Sequence, residues 1–221
     1  MPRPPSRRRG SRWLAFLLCL VPAAAAAQGS VEITPFIGSF YALASVSEQT
    51  NVPLPSFGGA PPGDIVREQA DGPMIGARVS FPLTGVIRAE GAVGFAFSNG
   101  RLDQRPRVDP GAGFGVSADA HVYLVSARAL VRPRRQNFYG IAGVGLVGRG
   151  GEFWEGADQS ARVAGVVGFG VRAAVSPRLS LNFSAEAFLY SFSYSSANVP
   201  NSDSKFQQDI VVAVGVPIGA R

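Results

Sequence analysis

The chain has 221 residues, of which 46% are hydrophobic and 16% charged, with 27 glycines, one cysteine and a formal net charge of +6. It is too apolar for a disordered chain and too poor in cysteine for a disulfide framework or thiolate chemistry. The basic excess is local: removing residues 1 to 27 takes away five of the 21 basic residues and none of the 15 acids, leaving a net charge of +1 and no basis for a nucleic-acid partner.

The N-terminus opens on Arg3, Arg7, Arg8, Arg9 and Arg12, succeeded by an apolar run from Trp13 to Ala27 that closes on Ala25-Ala26-Ala27. This order predicts an export signal peptide over 1–27, cleaved before Gln28. The run is short and carries Pro22, a poor match to a hydrocarbon core about 30 Å thick. A bulky Leu18 precedes Cys19 where a lipoprotein signal needs a small residue, so Cys19 leaves with the leader. The remainder, 28–221, has the length of one domain. It contains no run of 18 apolar residues, which excludes helical membrane spans.

Beyond the leader the chain alternates with a period of two over roughly ten-residue segments, the signature of transmembrane strands. The first segment, Val31 to Tyr41, has an ambiguous lipid side, and a long link runs from Ala44 to Gly72. From Met74 to Pro82, Ile75, Ala77, Val79 and Phe81 oppose Gly76, Arg78 and Ser80. After the short link Leu83 to Gly85, Ile87, Ala89, Val93, Phe95 and Phe97 oppose Arg88, Glu90, Ala92, Gly94 and Ala96. A long link, Asn99 to Gly113, leads to two further ambiguous strands, Val116 to Arg132 and Asn137 to Val147, joined by the short link Pro133 to Gln136. Beyond the long link Gly148 to Gln159, Val167, Phe169, Val171, Ala173 and Val175 oppose Arg162, Ala164, Gly168, Gly170 and Arg172. The short link Ser176 to Arg178 brings a strand in which Leu181, Phe183, Ala185, Ala187 and Leu189 oppose Ser180, Asn182, Ser184 and Glu186. A last long link, Ser195 to Lys205, precedes Ile210, Val212, Val214, Val216 and Ile218 against Asp209, Ala213 and Gly215.

Eight such segments, with long and short links in alternation, predict an all-β fold: an eight-stranded antiparallel up-and-down transmembrane β-barrel, apolar outside, with its short turns in the periplasm. Closure is required because an open strand edge in hydrocarbon leaves N–H and C=O groups unsatisfied at several kcal/mol each. Eight strands enclose a space that side chains just fill, which argues against a water-filled pore. The inner face carries both signs of charge, at Glu32, Arg78, Arg88, Glu90, Arg128, Arg162, Arg172, Glu186 and Asp209. Buried charges are tolerable only when paired, so these residues are expected to form a structural ion-pair network. Arg78, Glu90, Arg128 and Arg172 each lie about five residues from a short turn and are expected in one layer.

Other motifs weigh less. His121, the only histidine, stands five residues before Ser126, and an odd separation puts the two on opposite faces of a strand, so no catalytic pair is expected. A single imidazole is a poor metal site, and no metal or cofactor is expected. Gly143-Val144-Gly145-Leu146-Val147-Gly148 matches G-x-G-x-x-G, but no helix opens at the glycines, so packing inside a narrow barrel accounts for them. Tyr41, Phe97, Tyr139, Tyr190 and Phe192, near strand ends, are expected in interfacial girdles. The long links hold Arg101, Arg105 and Arg107 beside Asp103 and Asp109, and Glu152, Glu155 and Asp158 around Trp154. At the cell surface such residues suit phosphate and bridging divalent cations.

With a leader, eight strands, long outer links and inner arginines and glutamates, the sequence resembles the small outer-membrane β-barrel family of OmpA-type and OmpX-type proteins over 29–221. It departs from them in ending Ile218-Gly219-Ala220-Arg221 rather than on an aromatic residue. The resemblance implies a location in the cell outer membrane and a monomer. It also implies contact with outer-membrane lipid and lipopolysaccharide, and handling by periplasmic chaperones and the barrel-assembly machinery. The expected function is non-enzymatic, structural or surface-interacting through the long loops; the alternatives are a narrow or gated channel, a lipid-modifying enzyme, and a soluble lipocalin-like barrel.

Overall fold

A computed structural model describes residues 31–54, 62–109, 111, 113–134, 136–155, 161–177, 179–193 and 204–219. The predicted leader and most of the link Ser195 to Lys205 lie outside the described residues. The strands are β1 (Glu32–Ala42), β2 (Ser47–Pro53), β3 (Pro62–Gln69), β4 (Gly72–Pro82), β5 (Ile87–Pro106), β6 (Phe114–Val131), β7 (Phe138–Gly150), β8 (Arg162–Ser176), β9 (Leu179–Phe192), β10 (Lys205–Gly215) and β11 (Ile218–Gly219). Each pairs antiparallel with its neighbours. β1 bonds β10 on one side and β4 on the other, so β1, β4, β5, β6, β7, β8, β9 and β10 close an eight-stranded up-and-down ring. No helix among the described residues is long and apolar enough to cross a membrane.

The alternation decides which face is which. Ile37, Ile75, Val93, Val125, Val144, Val167, Phe169 and Val212 stand exposed on the outer wall, whereas Arg78, Glu90, Arg128, Glu186 and Asp209 are buried inside. The strands with ambiguous faces resolve on the same rule: Phe36 and Phe40 of β1, Leu124 and Arg128 of β6, and Tyr139 and Ile141 of β7 point inward. The wall's height can be read from β5, whose outward positions are apolar from Ile87 to Phe97 and then turn to Asn99, Arg101, Asp103 and Arg105. Ten steps of about 3.4 Å at the usual strand tilt of about 35–45° give about 24–28 Å, close to the roughly 25 Å apolar band of an outer-membrane barrel. The same boundary crosses the neighbouring strands in register, with Phe97 opposite His121 and Asn99 opposite Asp119. His121 stacks on Phe95 with ring centroids 5.1 Å apart.

The wall supplies a direct check. Val167 is 48% exposed in the middle of β8. Val167→Arg is expected to cost about 2–4 kcal/mol in a lipid bilayer, against under about 0.5 kcal/mol for the same change on a water-facing surface. Urea unfolding of the protein refolded into vesicles measures the difference.

Three predicted links are shorter or more ordered than the sequence suggested. Ala44 to Gly72 contains the β2–β3 hairpin, and β3 pairs with the upper part of β5 from Gly100 to Pro106. Asn99 to Gly113 is mostly strand: β5 and β6 stay paired from Ile87–Val131 to Gln104–Phe114. A span needs about 9–11 residues, so β5, with 20, and β6, with 18, rise well clear of the membrane and carry the hairpin as an outer sheet. Gly148 to Gln159 begins inside β7, which runs to Gly150. At the other end of the chain the last strand is interrupted at Val216 and Pro217, because proline has no N–H to continue the ladder, and only the two-residue β11 lies beyond.

Candidate functional site: the lumen and its two mouths

The middle of the lumen is filled by a buried four-membered ion-pair layer. Arg78, on β4, donates from Nη2 to Glu186 Oε1 and to Ser184 Oγ, both at 2.8 Å. Arg128, on β6, donates from Nε and Nη2 to Glu90 Oε1 at 2.8 and 2.6 Å, and from Nη1 to Glu186 Oε2. Glu186 therefore bridges both guanidinium groups, and two cations meet two anions with no surplus. The Arg78 guanidinium also lies 4.5 Å from the centre of the Phe36 ring, which begins an apolar layer with Met74, Leu124, Phe188 and Val211. This layer lies between the ionic one and the mouth at the end of the long links.

Above it sits a second cluster, which joins the predicted Arg162 and Asp209 to Arg149, a residue that sequence reasoning missed. Arg149, counted in a loop because it comes after Gly148, is the last inward residue of β7 and is buried. It donates to Tyr190 Oη and lies 3.6 Å from Asp209, to which the Tyr190 hydroxyl donates at 2.6 Å. Its guanidinium faces the rings of Phe192, Tyr190 and Trp154 at 4.8, 5.5 and 5.6 Å. Arg162, on β8, lies 5.5 Å from the Phe192 ring. Tyr139, Tyr190 and Phe192 thus belong to the lumen and not to a girdle, since Tyr190 and Phe192 keep the parity of Glu186, and Tyr139 keeps that of Arg149. Tyr41 and Phe97 do face outward.

Trp154 caps this cluster. Gly151 takes a φ of 106°, which L side chains rarely adopt, and a Cβ there would also strike the backbone of Asp119. The turn sends Glu152–Trp154, a single 3₁₀ turn, back over the mouth. Trp154 ends fully buried, edge-on to Phe153 and Phe192, with Nε1 donating to Gln69 Oε1 at 3.2 Å. Gln69 in turn donates to Ser98 Oγ at 2.9 Å, which ties the plug to β3 and β5.

The mouth at the short-turn end, expected to face the periplasm, holds the remaining predicted charges. Arg172 does not join Arg78, Glu90 and Arg128 in one layer; it pairs with Glu32 at 2.6 Å and donates to Asn182 at 3.1 Å. Equal distance along each strand from a turn does not mean equal depth in a barrel, because its strands are staggered. Arg88 stays out of the ion-pair network, donating to Ser80 Oγ at 2.9 Å. His121 and Ser126 fall on opposite faces, as their spacing implies, and Gly143 to Gly148 lie within β7.

The arrangement defines a transmembrane β-barrel whose interior is filled by side chains. No model of a known family matches the sequence, and no curated protein matches it. Among solved structures the chain is similar to the outer membrane protein OprG from Pseudomonas aeruginosa, with a TM-score of 0.50 and 12% identity over 87% of this chain and 97% of that one. Neisserial surface protein A also matches, at 0.36 and 13% over 86% and 96%, as does Ail, the attachment invasion locus protein of Yersinia pestis, at 0.37 and 12% over 86% and 99%. By fold the chain is a small eight-stranded β-barrel of the outer-membrane type, like OprG, and its apolar wall is that of a membrane-spanning barrel.

Proposed function

We propose that the protein is a non-enzymatic outer-membrane component that acts at the cell surface, through the outer sheet rather than through its lumen. The observation that carries this reading is the contrast between the two. The lumen is filled by an ion-pair layer, an apolar layer and a tryptophan plug, while β5 and β6 carry the β2–β3 hairpin far above the membrane. Directly over the apolar wall, β5 presents Arg101 and Arg105, joined by Arg107, with side chains 53–64% exposed. They are paired loosely with Asp103 and Asp64 at 3.1–3.7 Å. Such exposed pairs contribute at most about 1 kcal/mol and exchange readily for a phosphate, so the headgroup phosphates of lipopolysaccharide are the partner this position suits.

The test replaces the three arginines. Refolded wild-type protein is expected to retain added lipopolysaccharide in a salt-sensitive manner, and the triple variant Arg101→Gln, Arg105→Gln, Arg107→Gln to retain several-fold less at unchanged barrel stability. Equal retention by the two proteins would remove lipopolysaccharide as the partner.

A further inference from the structure

The periplasmic mouth carries charge that the barrel itself does not neutralise. It is a concavity lined by Glu32, Ser80, Arg88, Arg132, Arg172 and Asn182, with Glu90 at its floor. Each carboxylate here is already engaged: Glu32 by Arg172, and Glu90 by Arg128 from the layer above. Arg88 is half-buried, and its only side-chain bonds among the described residues go to Ser80, a neutral partner. Arg132 is exposed at the rim, held through its backbone N–H to Val86 O at 2.8 Å, and no carboxylate among the described residues lies within ion-pair distance of its guanidinium. Arg134, in the next turn, brings its guanidinium against Gly85 across the same rim. The mouth therefore has a surplus of cationic donors facing a concave, partly desolvated space, and Arg88 is held in place by Ser80.

We propose that this mouth is a binding site for a phosphate-type anion, gripped by Arg88 from within and Arg132 from the rim. Guanidinium groups match phosphate oxygens through paired N–H donors, and a half-buried position strengthens each contact relative to open water. A residue kept only for filling would be neutralised here, as Arg172, Arg78, Arg128 and Arg149 all are. The phosphate has two sources at this depth, the free ion of the periplasm and the headgroup of an inner-leaflet phospholipid. The site is independent of the surface reading above, since it lies at the opposite end of the barrel and uses none of the same residues.

Inorganic phosphate is the probe. Titrated calorimetrically into the full barrel in neutral detergent, it is expected to bind saturably at one site, and Arg88→Gln with Arg132→Gln to weaken that binding by about tenfold or more, from the loss of two charge-assisted contacts. Neither residue belongs to an ion pair among the described residues, so the double variant is expected to keep the wild-type heat-dependent gel shift, which shows that it is folded. Repeating the titration in phosphatidylglycerol nanodiscs separates the sources. Loss of free-phosphate binding there means that a lipid headgroup occupies the site, and persistence means that the free ion does; both outcomes support the proposal. Absence of saturable phosphate binding by the wild-type protein in detergent, or equal binding by the folded double variant, would overturn it.

Discussion

Replacing Glu186 by alanine is expected to cost about 3–5 kcal/mol of unfolding free energy in vesicles, the usual penalty for breaking a buried ion pair from one side. Among the described residues Glu186 is the only carboxylate paired with both Arg78 and Arg128, and all three are nearly inaccessible, with side-chain exposures of 1–4%. Without it the layer holds two guanidinium groups and one carboxylate, Glu90, whose Oε1 already accepts from Arg128 alone. Arg78 would keep only the Ser184 hydroxyl as a hydrogen-bond acceptor. Glu32→Ala provides the contrast, because its pair with Arg172 is 17–26% exposed and opens to the mouth, so a cost near 1 kcal/mol or less is expected there. Urea titrations monitored by tryptophan fluorescence measure both, with Trp154 as the reporter. Similar costs for the two variants would mean that the middle layer is not the tightly bound unit its geometry describes.

Removing Trp154 is expected to cost a comparable amount, about 3–5 kcal/mol, as for other fully buried large aromatics. The side chain is fully buried between Phe153, Phe192 and Arg149, and its N–H satisfies Gln69, so Trp154→Ala leaves both a cavity and a freed acceptor. Trp154→Phe restores the volume in part but not the hydrogen bond, and an intermediate loss is expected. The temperature of the heat-dependent gel shift reads both variants without relying on the fluorophore that has been removed. Because the apolar and ionic layers lie beneath, loss of the plug is expected to weaken the fold without opening a conducting path.

Much of the barrel was legible in the sequence because the membrane imposes a simple rule. Val167, Phe169 and Val171 must face lipid, and their parity alone puts Arg162, Gly168 and Arg172 inside. The ion pairs were foreseeable as a set but not as partners: stagger between strands decides that Arg172 meets Glu32 while Glu186 meets Arg78 and Arg128. Arg149 was overlooked because Gly148, Arg149, Gly150 and Gly151 together read as the start of a long link. Continuing the two-residue step from Tyr139 through Ile141, Gly143, Gly145 and Val147 reaches it. Tyr190 and Phe192 suit an interface as well as a lumen by composition, and only their step with Glu186 distinguishes the two. The β2–β3 hairpin left no such trace, because a strand such as Ser47–Pro53 standing above the membrane has no lipid to force an apolar face.

The claim that function lies outside the lumen rests on the lumen being shut, and conductance measures that directly. Purified wild-type protein inserted into planar lipid bilayers under an applied voltage is expected to give no discrete current steps above those of the bare membrane. Reproducible steps from the wild-type barrel, altered by Glu90→Ala or Arg88→Ala, would show that ions pass through it and would contradict the account.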